Sequence, residues 1–213
     1  LLYLLENIHI GIYNNHINCR FPVQNVRRPQ SDLHHDYRGY AGRISGGVFK
    51  PGDEVLILPS GFTSKIKSID TYEGPVEEAF APMSVTITLE DAIDICRGDM
   101  IVRSHNQPET GQDIDLILCW LNNKPVNPSA KYLLMHTTKD ARAIIKEINY
   151  KIDINTLHRI EDDKDLKMND IARVRIRTTQ PIFYDSYNRN RYTGSLILID
   201  EGTKETVAAG MII

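Results

Sequence analysis

The sequence predicts an all-β fold built as two small antiparallel barrels, and three observations carry that prediction. Short apolar runs alternate with polar residues at period two, as strands with one buried face do. Glycine and proline recur between those runs roughly every 8–12 residues, a rhythm of barrels and sandwiches rather than βαβ units. Helical periodicity is scarce, so helix below about 15% is expected against the 30–35% usual in soluble proteins.

The elements follow in order. Leu1-Leu2-Tyr3-Leu4-Leu5 is apolar over only five residues, with no basic flank or cleavage site. It reads as the tail of a helix belonging to a preceding domain, neither a signal peptide nor a membrane span. From Arg38, Gly39 and Gly42 suit a close approach of two backbones, Gly46-Gly47 suits a turn, and Lys50-Pro51-Gly52-Asp53 suits a turn with proline second. Val55 to Leu58, the turn Pro59-Ser60-Gly61, and Thr63 to Ile69 form a hairpin. Val85 to Leu89 alternates apolar and hydroxyl residues, and Arg97-Gly98-Asp99 is a turn between strands. The polar stretch from Arg103 to Gly111, with Pro108, is the best boundary between the barrels.

In the second half, Ile114, Leu116, Leu118 and Trp120 share one parity, with Asp113 and Asp115 on the other. Asn155 to Asn169 is rich in Asp, Glu and Lys and reads as a solvated loop. Arg173-Val174-Arg175-Ile176-Arg177 is the clearest alternation in the chain. Leu196 to Ile199 is apolar on both faces, as an interior barrel strand is, and Val207 to Ile213 closes the chain.

Bulk charge excludes a general polyanion binder. The 213 residues carry 25 Lys and Arg against 28 Asp and Glu, net −3, so neither nucleic acid nor anionic lipid is an expected partner. Cys19, Cys96 and Cys119 are odd in number, far apart and without CxxC spacing. That argues against a disulfide scaffold or zinc ribbon and fits a reducing cytoplasm.

Chemistry-bearing motifs are few. GxxxxGK[ST], GxGxxG after a strand, GxSxG and HExxH are all missing. His34-His35-Asp36 could offer metal ligands, but adjacent side chains on an extended segment diverge, so no metal site is expected. Cys119 beside Trp120 reads as packing. Arg173, Arg175 and Arg177 put three guanidinium groups on one strand face, with Arg189 and Arg191 in the next turn region. They are the candidate partner interface, a docking face for an anionic protein surface or nucleotide. The alternative is a solvated face balanced by Glu161, Asp162, Asp163 and Asp165.

Several strings go further than a generic barrel. The Gly-rich turn after Arg38, Gly52-Asp53-Glu54-Val55 and Arg97-Gly98-Asp99-Met100-Ile101 resemble the second domain of translation-factor-like GTPases, typified by elongation factor Tu. FPVQNV (21–26), RGYAG (38–42), LPSG (58–61), EGPVEEAF (73–80), TITLEDAIDICRGDMIV (86–102) and RNRYTGSLILIDEGTKETVAAGM (189–211) resemble, more narrowly, the large GTP-binding subunit of bacterial sulfate adenylyltransferases. The resemblance implies residues 1–20 as the end of a GTPase domain and its linker. It implies residues 21–104 as a barrel like domain 2 of elongation factor Tu, and residues 105–213 as one like domain 3. It further implies a subunit that couples GTP hydrolysis to formation of adenylyl sulfate and pyrophosphate from ATP and sulfate. GTP and Mg²⁺ would be held by the GTPase domain, and none by these barrels. The partners would be that domain and a small catalytic subunit in a heterodimer. Asn123-Lys124 continues as Pro125-Val126, so it is not the guanine-reading NKxD, and no catalytic residue is carried over. The competing reading is a translation-factor barrel pair binding tRNA or a ribosomal partner, for which a basic patch would be required.

Overall fold

A computed structural model describes residues 2–7, 15–28, 37–127 and 129–213. His34, His35 and Asp36 lie outside the described residues. Among the described residues the one helix is α1 (Leu2–Asn7), which lies over the opening apolar run. Everything else is strand and turn.

The first barrel is built from β1 (Arg20–Arg27), β2 (Gly39–Arg43), β3 (Val48–Phe49), β4 (Glu54–Leu58), β5 (Thr63–Thr71), β6 (Gly74–Pro75), β7 (Ala79–Phe80), β8 (Ser84–Leu89) and β9 (Met100–Val102). The pairing order β4-β9-β1-β2-β8-β5 returns to β4, closing a six-stranded circuit. Phe21, Val23, Val55, Ile57, Ile69, Ile87 and Ile101 fill it. β2 crosses β1 at Gly42, where a Cβ would stand 2.5 Å from the Pro22 carbonyl oxygen, so the crossing requires glycine. In the Lys50–Asp53 turn, Gly52 has φ +88°, and the Asp53 amide donates to the Lys50 carbonyl at 3.1 Å. The hairpin β4–β5 forms where alternation placed it.

The second barrel comprises β10 (Glu109–Trp120), β11 (Tyr132–His136), β12 (Lys139–Ile152), β13 (Arg159–Ile160), β14 (Ile171–Tyr184), β15 (Ser195–Asp200) and β16 (Thr206–Ile212). Its order β11-β15-β16-β10-β14-β12 likewise returns to β11. Ile114, Leu116, Leu118 and Trp120 point inward as their shared parity predicts, facing Val174, Ile176 and Leu198. Trp120 stands edge-on to Tyr132 at 5.9 Å, and its Nε1 donates to the Lys124 carbonyl at 2.8 Å. That gives the indole the polar partner a buried ring requires.

Three local expectations change. The polar stretch at the boundary ends earlier, because Glu109 to Gly111 already pair with Ile182 to Tyr184 in the sheet. The acidic segment from Asn155 to Asn169 is not simply solvated. Arg159 and Ile160 pair with β12, and Leu166 is fully buried in the barrel core. Lys151 holds the segment down, its Nζ 2.7 Å from both Asp163 and Asp170. In β15 only Leu196 and Leu198 point inward, whereas Ile197 and Ile199 are half-buried on the outer face.

Candidate functional site

The antiparallel register of β10 and β14 pairs Asp113 with Arg177 and Asp115 with Arg175 across the outer face of the second barrel. Period-two geometry then stacks Arg173, Arg175 and Arg177 as a ladder beside those carboxylates. Arg175 Nε and Nη2 donate to the two Asp115 oxygens at 2.6 and 2.9 Å. Arg173 adds a 3.4 Å contact to Asp115, and Arg177 reaches Asp113 at 3.2 Å. The Arg175 guanidinium holds the Asp115 carboxyl below its ordinary pKa.

The ladder's acids are therefore Asp113 and Asp115, neighbours on the paired strand. The four acids of the loop are not its counter-charges: Asp163 bonds Lys151, and Asp165 lies 3.9 Å from Lys167. Arg189 and Arg191 do not join the ladder. They occupy the turn between β14 and β15, where the Arg191 guanidinium lies 5.7 Å from the Tyr187 ring centre. Cys119 sits half-buried on the outer face of β10 in a groove of about 590 Å³, with Ile117, Met135, Ile171, Ile197 and Met211.

A second cluster, between the barrels, had no counterpart in the sequence reading. Arg20 on β1 and Asp185 just past β14 form a bidentate pair at 2.8 Å, with side chains 2% and 6% exposed. Arg20 Nη1 also donates to the Cys19 and Asn106 carbonyls. Thr193 Oγ1 donates to Asp185 at 2.7 Å, and the Thr193 carbonyl lies 2.8 Å from His136 Nε2. A carbonyl only accepts, so His136 carries its proton on Nε2. Burial lowers its pKa from the ordinary histidine value and favours the neutral ring. Asn190 Nδ2 donates to the Ser45 carbonyl at 2.9 Å. Beside this polar seam, Leu56, Leu58, Met100 and Val102 of the first barrel pack on Phe183 of the second. One signal could have pointed here: Arg20 is a lone charge in the buried run Cys19 to Val23.

Buried and satisfied, the seam fixes the barrels to each other and offers no open chemistry. The ladder is exposed and charged. Among the described residues no three His, Cys, Asp or Glu side chains converge as a metal site, and no helix is long and apolar enough to cross a membrane.

A family profile described as "GTP-eEF1A C-terminal domain-like" matches residues 113–213. The chain is 48% identical over 214 residues to the bifunctional enzyme CysN/CysC of Mycobacterium tuberculosis, covering all of this chain and 35% of that protein. It is 46% identical over 213 residues to sulfate adenylyltransferase subunit 1 of Alteromonas mediterranea, covering all of this chain and 44% of that protein. The fold is shared with Sup35 complexed with GDP, at TM-score 0.81 and 16% identity over all of this chain and 51% of that one. It is shared also with the elongation factor SelB of Methanococcus maripaludis, at TM-score 0.74 and 18% identity over 99% of this chain and 45% of that one. The chain thus spans less than half the length of these curated relatives. Identity of this order over the whole of this chain, together with two closed barrels of the translation-factor type, places the chain in the family of sulfate adenylyltransferase subunit 1.

Proposed function

We propose that this chain is the barrel pair of a GTPase subunit of sulfate adenylyltransferase, with the barrels near residues 21–104 and 105–213. The observation that carries the reading is the match of the whole chain, at 46% identity, to a protein named as subunit 1 of that enzyme. In the complete assembly GTP hydrolysis drives formation of adenylyl sulfate and pyrophosphate from ATP and sulfate, in the cytoplasm. The barrels hold the GTPase domain and the small catalytic subunit in a geometry that differs between nucleotide states. Such coupling requires that the partner contact the two states differently.

GTP and Mg²⁺ do not fit the residues of this chain. No GxxxxGK[ST] loop is present to offer backbone amides and a lysine to phosphates. The nucleotide therefore belongs to the GTPase domain of the complete subunit. The ladder is the interface candidate, because its cations are exposed and already ordered. A translation-factor role with tRNA is disfavoured, since the ladder alternates its cations with carboxylates that repel phosphate.

Two measurements test the reading. The complete subunit carrying this chain, mixed with the small subunit, should release pyrophosphate from ATP and sulfate faster when GTP is added. The 213-residue chain alone should show no calorimetric heat with GTP at micromolar concentration. A GTP-independent rate in the first, or binding in the second, refutes the assignment.

A further inference from the structure

We infer that the second subunit docks, through an acidic surface, on the outer face of β12 and β14 between Lys131 and Arg173. The inference rests on the partner-subunit reading above and names the face that reading leaves open.

Charge accounting on this face carries the argument. Asp113 serves two cations, Arg177 at 3.2 Å and Lys146 at 3.6 Å. Asp115 also serves two, Arg173 at 3.4 Å and Arg175 at 2.6 Å. Arg142 is matched by Glu201 at 2.7 Å, and Glu147 lies within electrostatic reach of Arg175. Lys131 forms no ion pair among the described residues. With Asp140 exposed one rung beyond Arg142, six cations thus face five carboxylates, while the chain as a whole is net −3. The positive surplus is local and runs against the bulk charge.

Geometry adds to the charge. A cavity of about 450 Å³ opens between Arg142 and Arg177, walled also by Lys131, Ile144, Thr178 and Thr179. It has room for a carboxylate side chain among three cations, with Ile144 as an apolar neighbour. Alternate residues of a strand are about 6.7 Å apart, so successive rungs can meet carboxylates spaced like those of one helix face or one strand. The ladder's own ion pairs hold the guanidinium groups in place, which lowers the entropy lost when a partner binds. Exposed pairs of this kind contribute little to folding, so stability alone gives little reason for these four paired cations to stand together. Asp113 and Asp115 stand among the rungs and would repel a phosphate backbone, which favours a protein surface over nucleic acid.

The test uses the complete subunit carrying this chain, mixed with the purified small subunit, with association rates read by stopped flow at low and high salt. Arg142→Ala with Arg177→Ala should slow association about tenfold at low salt, because charges at an interface act mainly on encounter rate. Asp113→Asn should do the reverse, speeding it about two- to threefold by enlarging the positive surplus. Both differences should shrink at high salt, where the screening length falls to a few ångströms. Lys67→Ala, on the first barrel, should leave the rate unchanged. Should the double variant unfold, Asp113→Asn alone decides. Unchanged rates in the ladder variants, or slower association with Asp113→Asn, overturn the inference while leaving the partner reading standing. Failure of the wild-type subunits to associate overturns both.

Discussion

Replacing Asp185 by alanine is the most direct test of how the barrels are joined. The Arg20 guanidinium would lose two charge-assisted bonds of 2.8 Å while remaining 2% exposed. It would keep only neutral carbonyl and amide acceptors at Cys19 and Asn106. Thr193 would lose the acceptor for its fully buried hydroxyl as well. Deleting one partner of a buried pair costs about 3–5 kcal/mol. Against a typical total of about 5–15 kcal/mol, that is roughly a fifth or more of the stability. Arg20→Met with Asp185→Leu removes both charges together and should recover most of the loss, since a buried pair rarely beats apolar residues of similar volume. Urea unfolding should be followed by far-UV circular dichroism and by Trp120, the single tryptophan, which reports the second barrel alone. In the wild type the two transitions should coincide. In Asp185→Ala both should move to lower urea and separate, as the barrels unfold independently. A cost below about 1 kcal/mol, with coincident transitions, would mean that the pair behaves as a solvated one and would refute the argument.

Three further outcomes are expected. Gly42→Ala should destabilise by about 1–3 kcal/mol, because its Cβ meets backbone rather than a side chain that could turn aside; a thermal melt suffices to check it. Leu166→Ala should cost about 2–5 kcal/mol despite its place in an acidic loop, and the Trp120 transition should register it. His136 has a folded-state pKa below the ordinary 6.5, so the unfolded chain takes up its proton first. Stability is then fully present above pH 6.5 and falls as pH drops below it, by at most about 1.4 kcal/mol per pH unit for this one group. Titrating wild type against His136→Gln, which keeps a donor for Thr193, should show the slope only in the wild type.

Strand identity was legible wherever one face is buried and the other wet. The Ile114 to Trp120 parity and the arginine alternation are direct images of a pleated sheet packed on one side. What the strands meet was not legible. Asp113 and Asp115 stood in plain view on their strand, yet only the register of β10 against β14 makes them the counter-charges of Arg175 and Arg177. Proximity along the chain pointed instead to the acidic run from Glu161 to Asp165, and misled. Leu166 was hidden for a related reason, as one apolar residue inside a charged segment has no periodicity to betray it. The seam was least visible of all, because Arg20 and Asp185 lie 165 positions apart and each flanks an ordinary apolar run. Short strings resembling a known family were more informative than any physical pattern about ancestry, and silent about contacts.

Closure of both circuits restricts how anything else can attach. Each of the twelve barrel strands has a neighbour on both sides along at least part of its length, so few of their amides and carbonyls are left vacant for an incoming chain. Recognition by strand addition, in which backbone bonds supply affinity whatever the sequence, has little edge to use on these strands. A visitor must read side chains, and its selectivity is written in a few charged and apolar groups that evolution can alter without touching the sheet. The same closure leaves the barrel walls little tendency to polymerise edge to edge, even at high concentration.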